Sequence, residues 1–500
     1  MRNQRILGIV LSYIFIVLNT IISLIYVPLL IHFLGQNEYG LYQMMGSFIA
    51  YFSVMDFGLS NTIVRFYSKY KTEKKFDRME NVLYWSRIIY IFLSLVMLLI
   101  GAIIYPLLDT VYNSSLTSQE LMETKVIFVV LLINIIITLM TNVDNAVITA
   151  EQKFVFLKLL QIIQALIQPL LIVSLLFSWP YALTVVLVQT SLNLIFSLIR
   201  VYFNKKVLKT KIVNHGYNKK FIKKLITFSA AIFIVAITDQ LFWKTNQLIL
   251  GAIVGTTAVA IYSVASQIYM NYVTLSSVIQ GVFLPKVTAM VVNNDDVNSL
   301  FIRIGRIQYI LLACVLGGFI VYGKEFISLW VGEGYQESYY ITLIIISAMT
   351  IDLIQSIGGT IMQAKNIYLV RAKVLITMAI FNVILAIFLG NLYGPIGCAI
   401  ATSICMIIGN GFVMNYIYKV KMKLDIFLFW KEIIKITVPA IITLFIGIIL
   451  KQIIYVYSFF TLGTNVFLYL LVYTILVLFL GLDKNERKMV CNKFMRFRRD

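Results

Sequence analysis

The sequence predicts an all-α integral membrane protein with about fourteen transmembrane helices. Hydrophobic residues make up 60% of its 500 residues and charged residues only 13%, whereas a soluble globular chain has about 25% charged residues. The apolar stretches are continuous and reach the ~20 residues that a membrane-spanning helix needs. An outer-membrane barrel would instead show short alternating segments. These features exclude a soluble enzyme, a disordered protein and a secreted disulfide scaffold.

Fourteen stretches have the length and composition of membrane spans, numbered here one to fourteen in chain order. They lie at 6–32, 39–62, 82–107, 126–149, 155–177, 180–203, 225–250, 257–284, 302–323, 339–363, 368–389, 393–417, 433–453 and 460–482. The first stretch follows Arg2 and Arg5, as in a signal peptide. It is too long for one and no small-residue cleavage site follows it, so we expect a retained membrane anchor.

Positive charge supports this count. If the spans alternate from a cytoplasmic N-terminus, all but four of the 42 Lys and Arg residues fall on the inside. The four exceptions are Lys125, Lys324 and Lys451 on the outside and Lys244 within span seven. Cytoplasmic loops concentrate positive charge, and one helix more or fewer would invert every later loop. We therefore predict that both termini are cytoplasmic. The net charge of +20 then reflects topology, and we expect no nucleic-acid partner.

Weak internal repeats predict the organisation of the chain. A shift of 220 residues aligns a glycine and two following residues in each half: Gly35, Leu41 and Tyr42 with Gly255, Ile261 and Tyr262. Six spans separate the copies, so the repeats are parallel. We expect a six-helix lobe at 1–220, a second six-helix lobe at 221–420, two additional helices at 421–482 and a basic cytoplasmic tail at 483–500.

Polar residues recur at helical spacing within three spans. They are Ser12, Asn19, Ser23 and Tyr26 in span one, Asn134, Thr138, Thr141 and Asn145 in span four, and Ser263, Gln267, Asn271 and Thr274 in span eight. Two lobes of this kind are typical of a transporter whose site lies between them near the midplane. The polar stripes therefore either line that site or hydrogen-bond neighbouring helices together.

Ionisable residues inside the spans are stronger candidates, because a charge in hydrocarbon is costly. Asp239, Lys244 and the nearby Asn246 lie in span seven, and Asp352 lies in span ten; we expect these four to serve the substrate or ion pathway. Others lie nearer the inner ends of spans: Asp56, Asp144, Arg65 and Arg87, with Lys158, Arg371 and Lys373. The two aspartates fit a cavity or an inner interface equally well, and the cations at helix ends would reach lipid headgroups.

No pattern indicates catalysis, a metal site or a cofactor. The four cysteines form no CxxC pair, the two histidines are far apart, and phosphate-binding loops and catalytic-triad spacings are missing. Transport would therefore draw on an ion gradient, the membrane potential or substrate turnover.

Several stretches resemble a known family. They are Tyr26–Gly35, Glu38–Tyr42, Asp56–Ser60 and Arg65–Tyr67 in the first lobe, and Asn246–Gly251, Ala260–Ala265, Leu329–Gly332 and Tyr393–Gly397 in the second. With these residues the chain resembles the polysaccharide-biosynthesis flippases of the Wzx type, which export O-antigen and related repeat units. These flippases share a superfamily with the MATE antiporters and the lipid II flippase.

The resemblance implies flipping of undecaprenyl-pyrophosphate-linked oligosaccharides across the bacterial cytoplasmic membrane by alternating access, for surface polysaccharide synthesis. It implies an H⁺ or Na⁺ counter-ion, contacts with membrane lipids, and polymerase and glycosyltransferase neighbours. Asn246 stands where many relatives have an acidic residue, so an ion-coupling role does not transfer to it. Arg65 and Arg87 match the arginines of lipid II flippases in position only.

Three alternatives stay open beside this hypothesis. A MATE-like antiporter of cations or drugs would usually stop at twelve spans. A lipid II flippase would differ only in its cargo. A membrane glycosyltransferase or polymerase would need catalytic outer loops, whereas the outer loops here are short.

Overall fold

The computed structural model describes residues 2–216, 233–234, 236–293, 295–365 and 367–482. These residues are almost entirely helical and include no β-strand, which confirms the predicted all-α class. The predicted basic tail 483–500 and residues 225–232 of span seven lie outside the described residues.

The chain divides into two compact units, Met1–Ala260 and Ile261–Asp500. The helices of the first unit are α1 (Arg2–Ser53), α2 (Leu59–Thr72), α3 (Phe76–Tyr112), α4 (Ser118–Ala150), α5 (Phe154–Leu176), α6 (Ala182–Lys206) and α7 (Thr245–Ile253). A one-turn 3-10 helix, Val54–Asp56, follows α1. Residues 236–243, just before α7, are also helical.

Eight further α-helices complete the described chain, and the first of them begins at the end of the first unit. They are α8 (Thr256–Val292), α9 (Asn298–Val331), α10 (Glu337–Leu353), α11 (Ser356–Ala364), α12 (Tyr368–Met406), α13 (Met414–Met422), α14 (Ile426–Ile453) and α15 (Phe459–Leu476). Two π-helical segments, Ile407–Val413 and Val477–Gly481, follow α12 and α15.

Ten helical runs among the described residues are long and apolar enough to cross a membrane, or eleven if the bent α8 counts as one. Two runs, Ile14–Thr72 and Leu369–Met422, have 59 and 54 residues, far more than the ~20 of a single crossing. Each covers two predicted spans and contains a glycine with non-helical backbone angles, Gly35 or Gly394. The count of fourteen and the cytoplasmic ends stay predictions.

The two glycines aligned by the internal repeat share an unusual backbone conformation. Gly35 has φ 73° and Gly255 has φ 114°, values that side chains with a Cβ adopt only at a cost. Gly35 interrupts α1, and Gly255 separates α7 from α8. The shared conformation is what equivalent turns of a repeat would show; the lobe boundaries at 220 and 420 stay predictions.

The two helices that the sequence sets apart as additional, α14 and α15, pack against α9. The Arg306 guanidinium, only 4% exposed, forms an ion pair with Glu432 of α14. The Tyr322 hydroxyl donates to the Gly447 carbonyl, and that of Tyr473 donates to the Ile310 carbonyl. These buried polar contacts hold both helices within the second unit.

Large apolar side chains cover the outward surfaces of the helices. Phe92, Leu99, Leu170 and Phe427 are all more than 60% exposed. Soluble monomers rarely expose continuous apolar patches of this kind. In a bilayer the same surface contacts lipid chains without cost, as expected of a multi-pass membrane protein.

Candidate functional site

Three of the predicted ionisable residues lie where a membrane helix is interrupted. Asp56 ends the 3-10 turn after α1 and precedes Phe57 and Gly58, which both have positive φ. Lys244 is a turn residue between the helical segment 236–243 and α7. Asp352 lies at the end of α10, before the break that leads into α11. Irregular backbone at membrane depth is tolerated only inside protein or around a polar cavity, and transporters use such breaks to bind substrates and ions.

Asp56 is held by two other helices of the first unit. Its Oδ1 accepts hydrogen bonds from the Tyr90 hydroxyl of α3 at 2.5 Å and from the Asn142 amide of α4 at 2.8 Å. The backbone N–H of Ser60 lies 3.5 Å from the other carboxyl oxygen. The carboxyl group is therefore satisfied by its own unit, which fits the interface interpretation better than a binding role.

Asp144 occupies a second, separate network in the same unit. It is 1% exposed and accepts a hydrogen bond from the Asn204 amide of α6 at 2.7 Å. The Arg87 guanidinium of α3 lies 3.5 Å from its other carboxyl oxygen. Thr210 donates to the Asn204 carbonyl oxygen. This network joins α3, α4 and α6, and Arg87 lies well inside α3 rather than at the helix end that the sequence predicted.

Asp352 has a cationic neighbour in the second unit. Its carboxyl lies 3.8 Å from the Arg371 guanidinium of α12. A Cβ on Gly359 of α11 would overlap that guanidinium. The glycine therefore gives the arginine room beside the helix break, and the pair places opposite charges at the α10–α11 interruption.

Lys244 differs from the three aspartates. Its side chain is half-buried, and it has no hydrogen bond or ion pair to another described side chain. It is the N-cap residue of α7, where the helix dipole contributes a partial positive charge. An ammonium that no described side chain pairs with and a helix amino end at one position both favour an anion.

Helix α7 is fixed firmly beneath this lysine. The Ser47 hydroxyl of α1 donates to Gln247, and Tyr51 hydrogen-bonds Thr245. A Cβ on Gly251 would overlap the Met44 sulfur, so this face of α7 packs closely on α1. These contacts hold α7, the helix that follows Lys244, against α1.

The polar stripe of α4 packs against a matching stripe of α6. The Asn134 amide donates to Thr190, the Asn193 amide donates to Asn134 and Thr138, and the Thr141 hydroxyl lies within 3.3 Å of Ser197. Every member except Asn145 thus bonds across the interface. These contacts favour the helix-packing interpretation for this stripe.

The polar stripe of α1 instead lines a cavity of about 310 Å³ between α1 and α5. The polar lining is Asn19, Ser23 and Tyr26 from α1 and Gln161, Gln164 and Gln168 from α5. The Tyr26 hydroxyl is buried without a hydrogen-bond partner in the described part of the chain. The Lys158 ammonium donates to Gln161 at 2.9 Å and lies over the Phe15 ring.

Sequence reasoning missed the three glutamines of α5. Their signal was present, because Gln161, Gln164 and Gln168 recur at i, i+3 and i+7 and so share one helix face. Amide side chains in an otherwise apolar span are expensive unless they meet a partner. A search of every span for amides, rather than for charges, would have found them.

The remaining predicted residues are spread over several helices. Arg65 and Asp239 are exposed, Asn145, Gln267 and Asn271 are half-buried, and Asn246 is buried in α7. Asp56 and Asp144 belong to separate networks rather than to one site. Within the described ranges, no three His, Cys, Asp or Glu side chains come close enough to hold a metal ion.

Comparison with known proteins identifies the family. The sequence pattern of a family described as polysaccharide biosynthesis protein matches residues 7–291. The chain belongs to the polysaccharide biosynthesis protein family. A search of curated proteins finds no match.

Solved structures show the same fold. The lipid II flippase MurJ in an inward closed conformation is similar with a TM-score of 0.72 at 17% identity, over 94% of this chain and 98% of MurJ. An inward-facing multidrug resistance MATE transporter of the MOP superfamily has a TM-score of 0.58 at 13% identity, over 81% and 96%. A Vibrio cholerae MATE transporter has a TM-score of 0.54 at 13% identity, over 86% and 100%. This chain therefore has the fold of multi-pass membrane flippases and transporters.

Proposed function

We propose that this protein moves an undecaprenyl-pyrophosphate-linked oligosaccharide from the inner to the outer leaflet of the bacterial cytoplasmic membrane, for surface polysaccharide synthesis. Membership of the polysaccharide biosynthesis protein family supports a cargo built from sugars. The MurJ-like fold supports movement of a lipid-linked cargo. Two features of the structure suit the polar parts of such a cargo: Lys244 suits the pyrophosphate, and a polar cavity suits the sugars.

The observation that carries the proposal is the environment of Lys244. An ammonium inside a membrane span is retained at a cost and usually has a partner, yet no described side chain pairs with this one. The amino end of α7 adds positive potential at the same position. A phosphate group supplies the negative charge and the acceptor oxygens that this arrangement lacks.

The cavity between α1 and α5 suits the sugar part. Asn19, Gln164 and Gln168 provide neutral donors and acceptors along its wall. Sugar hydroxyls both donate and accept, so they match amides and hydroxyls without a net charge. Cavities of roughly 300 Å³ and above are the size of small-molecule sites.

The breaks at Asp56, Lys244 and Asp352 suit alternating access. Discontinuous helices supply the few backbone positions that absorb large angular changes. The hydrogen bonds of Asp56 and the ion pair of Asp352 would hold the helices on either side of two of these breaks. An H⁺ or Na⁺ counter-ion as the energy source remains part of this proposal.

Deletion of the gene, with complementation by Lys244 variants, tests the proposal. We expect deletion to abolish surface polysaccharide and to build up lipid-linked oligosaccharide in the inner leaflet. Lys244→Ala should lower export by about tenfold or more, because a charge-assisted hydrogen bond contributes about 1.5–3 kcal/mol. Lys244→Arg, which keeps the positive charge, should retain part of the wild-type export.

The matched control is Lys205→Ala, which removes an exposed lysine from the last turn of α6 and should leave export unchanged. Membrane abundance is measured for every variant. Normal polysaccharide in the deletion strain, together with altered sensitivity to drugs or cations, would overturn the proposal in favour of a MATE-like antiporter. Full export by Lys244→Ala would show that the lysine is not part of the binding site.

A further inference from the structure

An apolar groove of about 380 Å³ lies in the second unit along α12 and the π-helical segment Ile407–Val413. Its walls include Met378, Phe381, Leu385, Ile404 and Ile408. Apart from one threonine, one cysteine and one lysine, every lining residue that the structure describes is apolar or glycine. A groove of this composition accepts a hydrocarbon chain and offers nothing to a sugar.

A glycine keeps the groove open. A Cβ on Gly409 would overlap the sulfur of Met378, whose side chain is 6% exposed. With glycine at this position, Met378 packs closely on the π-helical backbone, and the two residues together form one wall of the groove.

Among the described residues, Lys373 is the only charged one that lines the groove. Its side chain is exposed and forms no ion pair with any described residue, whereas Arg371, two residues earlier, lies beside Asp352. The predicted topology places this end of α12 at the cytoplasmic surface. The groove therefore has one cationic end at headgroup level and an apolar length that runs into the membrane.

A second apolar groove provides a contrast within the same protein. It lies in the first unit, measures about 540 Å³ and is lined by Met122, Trp179 and Leu187 among others. Glu123 is its only charged lining residue in the described part of the chain. A lipid phosphate would be repelled there, so the two grooves have similar walls and opposite charge.

We propose that the groove along α12 is a binding site for an anionic phospholipid of the cytoplasmic leaflet. The acyl chain occupies the apolar length and the phosphate contacts Lys373. Basic pockets between membrane helices on the cytoplasmic side bind anionic headgroups, and the apolar walls add burial of the chain. This site is independent of the cargo and of Lys244.

Native mass spectrometry of the purified full-length protein tests the site. The protein is loaded with phosphatidylglycerol or with phosphatidylcholine, and the bound lipids are counted. One lysine near a headgroup contributes about 1 kcal/mol, or about fivefold in affinity. We expect preferential retention of phosphatidylglycerol, a loss of about fivefold in Lys373→Ala, and retention in Lys373→Arg.

Two further variants separate the charge from the groove. Thr377→Trp places a large side chain in the groove and should lower the binding of both lipids. Lys205→Ala, at an exposed helix end in the first unit, should bind both lipids like the wild type. Equal retention of the two lipids by the wild type, or unchanged phosphatidylglycerol binding in Lys373→Ala, would overturn the proposal.

A further measurement uses the wild type alone, so its result does not depend on whether the variants fold. Phosphatidylglycerol with a photoreactive acyl chain is crosslinked in nanodiscs, and the labelled peptides are identified. Labelling concentrated in 373–413, and weak in the groove lined by Glu123, is the expected result. Equal labelling of both grooves would overturn the preference for an anionic lipid.

Discussion

Two polar stripes in the first unit have similar composition and spacing but different surroundings. On α4, Asn134, Thr138 and Thr141 hydrogen-bond residues of α6. On α1, Asn19 and Tyr26 border a cavity, and none of their side-chain groups bonds another described side chain. One stripe joins two helices, and the other leaves the Asn19 amide at the cavity without a bond to a described side chain.

The facing helix explains the difference. Helix α6 presents Thr190, Asn193 and Ser197 on one helix face, so Asn134, Thr138 and Thr141 of α4 each meet a partner at hydrogen-bond distance. Helix α5 presents three glutamines across an open cavity instead. A polar stripe alone therefore does not distinguish a binding surface from a packing surface; the pair of stripes does.

The largest expected effect concerns the cavity. The double variant Asn19→Leu/Gln164→Leu removes two neutral hydrogen-bonding groups and should lower export by about tenfold, since each such bond contributes about 0.5–1.5 kcal/mol. Thermal stability in detergent should stay within about 0.5 kcal/mol of the wild type, as for other sites without structural partners. A double variant that exports normally would show that this cavity does not contact the cargo.

A smaller effect is expected for the α4–α6 interface. Asn193→Leu removes the amide that donates to Asn134 at 2.6 Å and to Thr138 at 2.8 Å. We expect a loss of about 1 kcal/mol in the free energy of unfolding, the typical size of an interhelical hydrogen bond in membranes. Export per folded molecule should be unchanged, as measured by unfolding in mixed detergents beside quantified export.

Asn391 supplies the control for this substitution. Among the described residues, its amide donates only to the Ile387 carbonyl of the same helix, and the residue is exposed. Asn391→Leu should therefore cost less than Asn193→Leu. If both variants lost the same stability, the stripe of α4 would not be what holds α4 to α6.

The smallest effect is expected at Ser23, which lines the cavity but donates to the Thr20 carbonyl of its own helix at 2.8 Å. Because that bond uses its only donor, Ser23→Ala should change export by less than twofold and stability by less than about 0.5 kcal/mol. A large loss of export would mean that the hydroxyl turns to the cargo when it binds.

The sequence was sufficient for the fold class and for the family. Continuous apolar stretches and a lack of charge leave few architectures open, and the stretches around Gly35, Asp56 and Tyr262 carry the resemblance that the family match confirms. Composition and spacing are properties of single segments, so one chain is enough to recognise them.

The interruptions at Asp56, Lys244 and Asp352 were not predictable in the same way. No proline lies at any of the three, and Gly58 is the only glycine beside them. Their backbones are set by contacts such as Tyr90 with Asp56 and Ser47 with Gln247, which join residues distant in sequence. The partners of the α4 stripe could not be predicted either, because they lie in α6 and are distant in sequence.

The most direct test of the central claim is a flipping assay with purified protein. The wild type and Lys244→Ala are reconstituted in liposomes that carry a lipid-linked oligosaccharide, and an added glycosidase trims only the glycans in the outer leaflet. We predict that the wild type makes nearly all of the lipid accessible, whereas Lys244→Ala does so about tenfold more slowly. The account would be contradicted if liposomes with the wild-type protein flipped the lipid no faster than liposomes without protein, under an imposed proton gradient and also under a sodium gradient.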